Sequence, residues 1–286
     1  MKRYFAALLL STLLVSLTFS QTNAVLIRDD DDFAGPVRSV RTEAVSFSRQ
    51  NDEYVEGSRI LVQTRNYSSD GRQFETIFYK PDGSVRQKEV RIYNEQGKWT
   101  EWDGYDANGS LLFRKLNNFD QGGRITEEIT LNADATIRQR KVLVWSPGRD
   151  RITEIDTYNS EGAPVRKDVS HYDYRNKKLI WNTEELGGRQ GKQTFDLTGN
   201  DPRRRIEESV GSDVKGSVVS TFNDSAAGQQ VNNTIYNSAG EAIEQLPINR
   251  EYDSHKNVIK ETHLVLKKGD EKPQPIFVLY NTISYY

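Results

Sequence analysis

Trp99, Trp102, Trp145 and Trp181, with fourteen tyrosines around them, are the side chains of this sequence best suited to recognition. Flat rings standing clear of a surface stack on sugar rings or pack against a partner protein. Trp99 and Trp102 are separated by an odd step. A regular strand would therefore send them to opposite faces, one into a core and one into a stripe open to solvent. Tyr79, Tyr93, Trp99, Trp102 and Tyr105 are accordingly the candidate binding residues.

The residues that could do covalent or acid–base chemistry are less well placed. Ser212-Asp213-Val214-Lys215 has the Ser-x-x-Lys spacing, in which an amine one helical turn away assists removal of the serine proton. Gly211 and Gly216 bracket it, and neither a Ser-Asp-Asn nor a Lys-Thr-Gly segment accompanies it. His171, His255 and His263 share no short metal-ligand spacing and there is no cysteine, so no metal site and no cofactor is expected. Acids occur as the neighbours Glu127-Glu128, Glu184-Glu185 and Glu207-Glu208. Adjacent strand residues point opposite ways, whereas carboxyls that cleave a glycosidic bond must straddle it about 5–10 Å apart. Arg203-Arg204-Arg205 reads as a solvated strand start. Asp29-Asp30-Asp31-Asp32 reads as a solvated lead-in, because a contiguous run lacks the alternating spacing of a calcium loop.

A repeated turn must position all of these groups. Tyr79-Lys80-Pro81-Asp82-Gly83 recurs as Tyr67-Ser68-Ser69-Asp70-Gly71, Tyr93-Asn94-Glu95-Gln96-Gly97, Tyr105-Asp106-Ala107-Asn108-Gly109, Tyr158-Asn159-Ser160-Glu161-Gly162 and Tyr236-Asn237-Ser238-Ala239-Gly240. Looser copies begin at Phe119, Leu131, Tyr172 and Tyr252. Pro81 and Asp82 suit the centre of a type I turn, and Gly83 the left-handed position of a G1 bulge. Gly71, Gly97, Gly109, Gly123, Gly162 and Gly240 are the matching turn glycines. This register places Lys80 opposite Ser84 and predicts the pairs Tyr79–Val85, Tyr93–Trp99, Tyr105–Leu111 and Phe119–Ile125, all apolar across the hairpin. At Tyr67 and Tyr158 it pairs less well, and Phe74 and Val165 predict a shift by one. The aromatic positions 67, 79, 93, 105, 119 and 131 are 12, 14, 12, 14 and 12 residues apart. Even steps predict that every aromatic returns to one face.

Composition sets the bounds. The chain has 286 residues, of which 35% are hydrophobic and 28% charged, too polar for a thick core yet too aromatic for disorder. Lys2 and Arg3 precede an apolar run from Phe5 to Leu17 that is short for a membrane span, which predicts a signal peptide over residues 1–24. Residues 25–36 form an acidic lead-in, and 37–286 a single hairpin-repeat domain. The repeats are clearest over 67–135 and blurred over 187–228, and a terminal β segment at 276–286 serves as a cap. A secreted chain without cysteine points to a bacterial periplasmic or extracellular protein. The 39 basic and 41 acidic residues give −2, or −4 once Lys2 and Arg3 are removed, which offers no support for nucleic-acid binding. No membrane span follows the leader.

Tyr105-Asp106-Ala107-Asn108-Gly109 and Tyr252-Asp253-Ser254-His255-Lys256-Asn257 resemble the Tyr-Asp (RHS-like) repeats of bacterial surface proteins, over roughly residues 60–260. The aromatic-Gly hairpins bear a weaker resemblance to MORN-type repeats. The spacing is tighter than in Tyr-Asp repeats, and the chain is too short for the large toxin-enclosing shells of that group. The resemblance implies a β-repeat sheet on or outside the cell and carries over no catalytic residue.

These readings predict an all-β fold: an elongated, twisted antiparallel meander of repeated hairpins, able to curl toward an open barrel. The expected function is a non-enzymatic binding or structural module whose partner is a glycan or an envelope protein. A secreted hydrolase of glycans or peptides, and an immunity or chaperone partner of a toxin system, are the alternatives.

Overall fold

The computed structural model describes residues 33–286 apart from 52, 147–151, 197–202, 211–212, 226–227 and 238. The predicted leader and most of the acidic lead-in, with the four aspartates, lie outside the described residues, as does Ser212. Gly35–Tyr286 form one compact unit. It contains nineteen strands: β1 (Val37–Gln50), β2 (Glu53–Glu56), β3 (Ile60–Tyr67), β4 (Gln73–Tyr79), β5 (Val85–Tyr93), β6 (Trp99–Asp106), β7 (Leu111–Phe119), β8 (Ile125–Asn132), β9 (Ile137–Trp145), β10 (Ile152–Tyr158), β11 (Pro164–Asp173), β12 (Lys178–Glu185), β13 (Arg189–Asp196), β14 (Arg203–Val210), β15 (Asp213–Ser225), β16 (Gly228–Tyr236), β17 (Ala242–Tyr252), β18 (Val258–Lys267) and β19 (Gln274–Tyr285). No helix occurs among the described residues. Every pairing is antiparallel, and from β3 to β19 each strand pairs with its successor. The meander continues through β13–β16, where the sequence repeat blurs.

The turn chemistry explains the hairpins. Gly83 N–H donates to Lys80 O at 2.9 Å, and Lys80 N–H to Ser84 O at 2.8 Å, closing the loop around Pro81 and Asp82. The residue after the aromatic is so often Asn or Asp because its side chain caps the turn. Asn94 Oδ1 accepts from the N–H groups of Gln96 and Lys98, both at 3.0 Å. Asp106 and Asp253 do the same in their own turns. The predicted pairs Tyr79–Val85, Tyr93–Trp99, Tyr105–Leu111 and Phe119–Ile125 are all present. Tyr67 pairs with Phe74, shifted as expected. Tyr158 keeps the common register opposite Pro164, and Val165 is the extra residue there.

All seven turn glycines have positive φ, from +69° to +84°. Gly83 has open space where a Cβ would point, so a side chain there meets only backbone strain. Gly83→Val should cost roughly 1–2 kcal/mol, the penalty of a left-handed L-residue, while Ser84→Val stays within about 0.5 kcal/mol. Equal shifts in paired thermal melts would refute the bulge assignment. In the turn after β8 the same position is Ala135, at φ +64°. Ala135→Gly should therefore stabilise the protein by about 1 kcal/mol, read as a higher urea midpoint at unchanged slope.

The five hairpins from Tyr79 to Leu131 carry a second irregularity, which the Tyr67 hairpin lacks. Tyr93 faces Trp99, but Ile92 faces Glu101, which leaves Thr100 without an opposite number. The same slip leaves out Arg86, Leu112, Thr126 and Arg138. One extra residue reverses the alternation. Even spacing therefore does not return the aromatics to one face, as the regular period would have it; it alternates them. Tyr67, Tyr93 and Phe119 lie on one face, and Tyr79, Tyr105 and Leu131 on the other.

The two ends of the meander meet. β1 lies between β19 and β3, with Val40 opposite Ile283 on one side and Arg65 on the other. The succession of pairs thus returns to its start, and both terminal strands gain a partner. Strand β2, which the sequence did not announce, folds back on the far end of β1. Burial is tightest at this seam, where Val40, Val45 and Val278 are each 1% exposed. Thr42 Oγ1 donates to Asn281 Oδ1 at 2.7 Å across it. The turn after β17 docks there as well: Tyr285 donates its hydroxyl to Asp253 Oδ2 at 2.5 Å and accepts from Asn257 Nδ2 at 2.8 Å.

Candidate functional site

The cross-strand register sorts the side chains into two faces, because residues directly opposite each other share a face. One row runs Phe74, Arg91, Trp102, Lys115, Thr130, Gln139 across β4 to β9. Trp99 belongs to this face through Tyr93, Trp145 through Leu143, and Trp181 through Ser170. All four tryptophans therefore lie on one face. The odd step from Trp99 to Trp102 does not separate them, because the bulge at Thr100 cancels it. Their rings meet edge to face at 6.2 Å.

Trp102 is the centre of this face in β4–β9. The Arg91 guanidinium lies 4.3 Å from its ring centroid and the Lys115 ammonium 4.4 Å, approaching from the strands on either side. Phe113 meets the ring edge at 6.1 Å. Arg91 also reaches Phe74, at 5.6 Å. The row thus alternates ring and cation, and each such contact contributes about 0.5–2 kcal/mol depending on desolvation. The indole is half-buried and its ring is covered by cations, so it is not the open platform the sequence suggested.

The charges of this face are partly desolvated. Burial pushes the Glu89 carboxyl up, against the nearby charge of Arg91. Burial pushes the Lys115 ammonium down, only partly opposed by Glu128. Burial also works against the Glu128 charge, but Lys141 and Lys115 together hold its carboxyl below the ordinary range. Glu128 pairs with Lys141 at 3.1 Å, and Glu89 lies in the field of Arg91 and Lys115. On the same face the Asn117 Oδ1 atom is buried without a hydrogen-bond partner. Glu89→Gln removes a charge that folding disfavours. A carboxyl whose folded value is raised costs nothing below its unfolded value, and the cost grows with pH until it is complete above the folded one. The variant should therefore melt higher than the parent at pH 7, with the gain shrinking toward pH 4.

The opposite face is built differently. There each cation of the central strands meets an acid: Lys88 with Glu75 at 3.5 Å, Arg114 with Asp103 at 2.7 Å and Glu101 at 3.2 Å, Arg140 with Glu127, and Lys167 with Glu154 at 2.7 Å. Tyr79 and Tyr105 lie on this side. Tyr79 shares a 3.1 Å hydrogen bond with Thr64, and Tyr105 donates to Asp103 at 2.8 Å. The five candidate residues are thus divided: Tyr93, Trp99 and Trp102 on the tryptophan face, Tyr79 and Tyr105 on the other.

The remaining groups stay scattered. Glu127 and Glu128 face opposite ways, each with its own cation, as strand alternation requires. His263 stacks on Phe277 at 4.1 Å beside Glu261, and His255 lies against Tyr285 at 4.5 Å. No group of three or more metal-ligating side chains occurs among the described residues. Glu89, Arg91 and Lys115 were not singled out in the sequence. They sit in charged segments whose two faces read alike until the register is known.

No family model and no curated protein matches this chain. Among solved structures it is similar to a porin-like protein from Bacteroides uniformis, with 10% identity, 88% of this chain and 98% of that chain covered, and a TM-score of 0.42. It is also similar to part of the TcdB2-TccC3-TEV structure, with 7% identity, 82% of this chain and 18% of that chain covered, and a TM-score of 0.16.

Proposed function

We propose that this chain is a non-enzymatic β-repeat binding protein of the bacterial envelope or exterior, and that its tryptophan face holds a glycan. The observation that carries the reading is the contrast between the faces. One is closed by matched ion pairs. The other carries the four tryptophans and, in β5–β8, a partly desolvated charge cluster of Glu89, Arg91, Lys115 and Glu128, and such groups cluster where a protein binds something. Sugars suit a surface that offers cations, a carboxylate and ring edges together, since each hydroxyl both donates and accepts.

The location rests on the leader predicted for residues 1–24. No helix among the described residues is long and apolar enough to cross a membrane. A strand-built span needs an apolar band toward lipid. Both faces of β4–β11 instead carry charge in mid-strand, Lys88, Arg114 and Arg140 on one and Glu89, Lys115 and Lys141 on the other.

The test is a pull-down with residues 25–286 against envelope and culture-fluid fractions of the producing cell, read by sugar analysis and mass spectrometry. A glycan retained by the parent and lost in Lys115→Met at unchanged melting temperature supports the reading. A protein retained without sugar replaces the glycan by an envelope protein. Failure to retain either one sinks the proposal.

A further inference from the structure

We infer that the tryptophan face is the inner wall of a water-filled lumen, and that the ligand held there is a free oligosaccharide that enters by an open end. This deepens the glycan reading and rests on it for the ligand, though not for the lumen. Closure comes from the pairing. Each strand from β3 to β18 pairs with its successor, and β1 joins β19 to β3, so eighteen strands form a ring with β2 as an arm on β1. Followed either way round, the register assigns Arg250 to the tryptophan face, as a ring with an inside and an outside requires. Exposure tells which face is inner, because side chains converge inside a ring and splay apart outside it. The ion-paired cations give a like-for-like comparison. Lys141, Arg166 and Arg250 on the tryptophan face keep 22–28% of their side chains exposed, whereas Lys88, Arg114, Arg140, Lys167 and Lys260 on the other keep 30–50%. Small mid-strand polar residues of the tryptophan face, Thr76, Asn117, Thr130, Thr157 and Ser170, are only 4–8% exposed.

Width follows from strand number. At about 4.8 Å between strands and a tilt of about 40°, a round ring of eighteen strands measures roughly 35 Å across at the backbone. Indoles reaching in from opposite walls cannot bridge that distance, so the side chains line the space instead of filling it. The lining suits water. Arg91, Lys115, Glu128 and Lys141 all stand in mid-strand on this face, and a dry interior would not hold so many charges. The wall also limits the ligand. A small folded domain is about 30 Å across and cannot pass between side chains that project from every strand. A free oligosaccharide can, and inside it meets rings, cations and carboxylates together.

The chain has no cysteine, so single cysteines report accessibility without background. Val142 and Leu143 are adjacent and half-buried in β9, Leu143 on the tryptophan face and Val142 on the other. Gln193 and Thr194 form the same kind of pair in β13, with Gln193 opposite Trp181. Leu143→Cys, Val142→Cys, Gln193→Cys and Thr194→Cys are made in residues 25–286, and melts confirm that each folds. Each is treated with N-ethylmaleimide and with a maleimide attached to a small folded protein. The small reagent should modify all four. The large one should modify Val142→Cys and Thr194→Cys and leave Leu143→Cys and Gln193→Cys untouched. Equal modification of both faces by the large reagent overturns the enclosed wall. Inner cysteines closed to N-ethylmaleimide as well show a packed interior and overturn the lumen. Neither failure touches the glycan reading, which falls only if the pull-down retains no sugar. A folded protein as the retained partner overturns the oligosaccharide and leaves the lumen standing.

Discussion

Gly104→Ala should lower stability by about 1–3 kcal/mol, among the largest effects of a single methyl group in this protein. Gly104 lies on the tryptophan face of β6, directly opposite Phe113. A Cβ at Gly104 would come within 2.2 Å of Cε1, 2.6 Å of Cζ and 2.8 Å of Cδ1 of the Phe113 ring. The ring covers the backbone because no side chain fills that place, as aromatic rings do over glycines in sheets. The ring can move away, but it is held edge-on against Trp102, which in turn is held by Arg91 and Lys115. The methyl group therefore disturbs the whole row. Combining Phe113→Leu with Gly104→Ala should recover part of the loss, since the smaller side chain makes room. Denaturant titration of the two single variants and the double variant gives the coupling directly. Additive losses would show that the close approach constrains nothing.

Asp103→Ala should cost about 2–4 kcal/mol at pH 7, because it strips the acid from a network and leaves its partners unmatched. Asp103 is 4% exposed and accepts from Arg114 Nε at 2.8 Å and Nη2 at 2.7 Å, and from the Tyr105 hydroxyl at 2.8 Å. Burial alone would raise its carboxyl, but the Arg114 and Tyr105 hydrogen bonds and the Arg114 charge outweigh it and hold the group below the ordinary carboxylate range. The sign follows. A depressed folded value means that the stabilisation is complete above the unfolded value, about 3.9, and is lost as pH falls through the folded one. The gap between parent and Asp103→Ala should therefore be wide at pH 7 and narrow progressively below about pH 4. Melts from pH 7 to pH 2 would show it, and a gap independent of pH would mean that Asp103 acts through packing rather than charge.

The hairpins are legible because their determinants are local. A Pro-Asp-Gly or Asn-x-x-Gly segment satisfies its own turn within five residues, so the left-handed backbone at Gly83, Gly97 and Gly109, and the Tyr79–Val85 pairing, follow from residue types and spacing. The candidate site is legible only in part. Trp102 stands out as a ring in a polar chain, but unbroken strand alternation puts it in the wrong surroundings. Thr100 and Arg86 carry no signal that marks them as extra residues. Arg91 and Lys115, twenty-four residues apart, come to lie on either side of Trp102 through the slips at Thr100 and Leu112.

The strand-and-turn grammar, the antiparallel order and the need for a polar, thin sheet are thus written in the chain itself, since they follow from short-range sterics, capping and composition. Which face each ring and charge occupies, where the ends join and which charges meet emerge only on folding. Those outcomes depend on register summed over many strands and on the meeting of β1 with β19, whose paired residues Val40 and Ile283 are separated by nearly the whole length of the chain. An odd residue in any one bulge reverses every face downstream of it, and no local pattern records that sum.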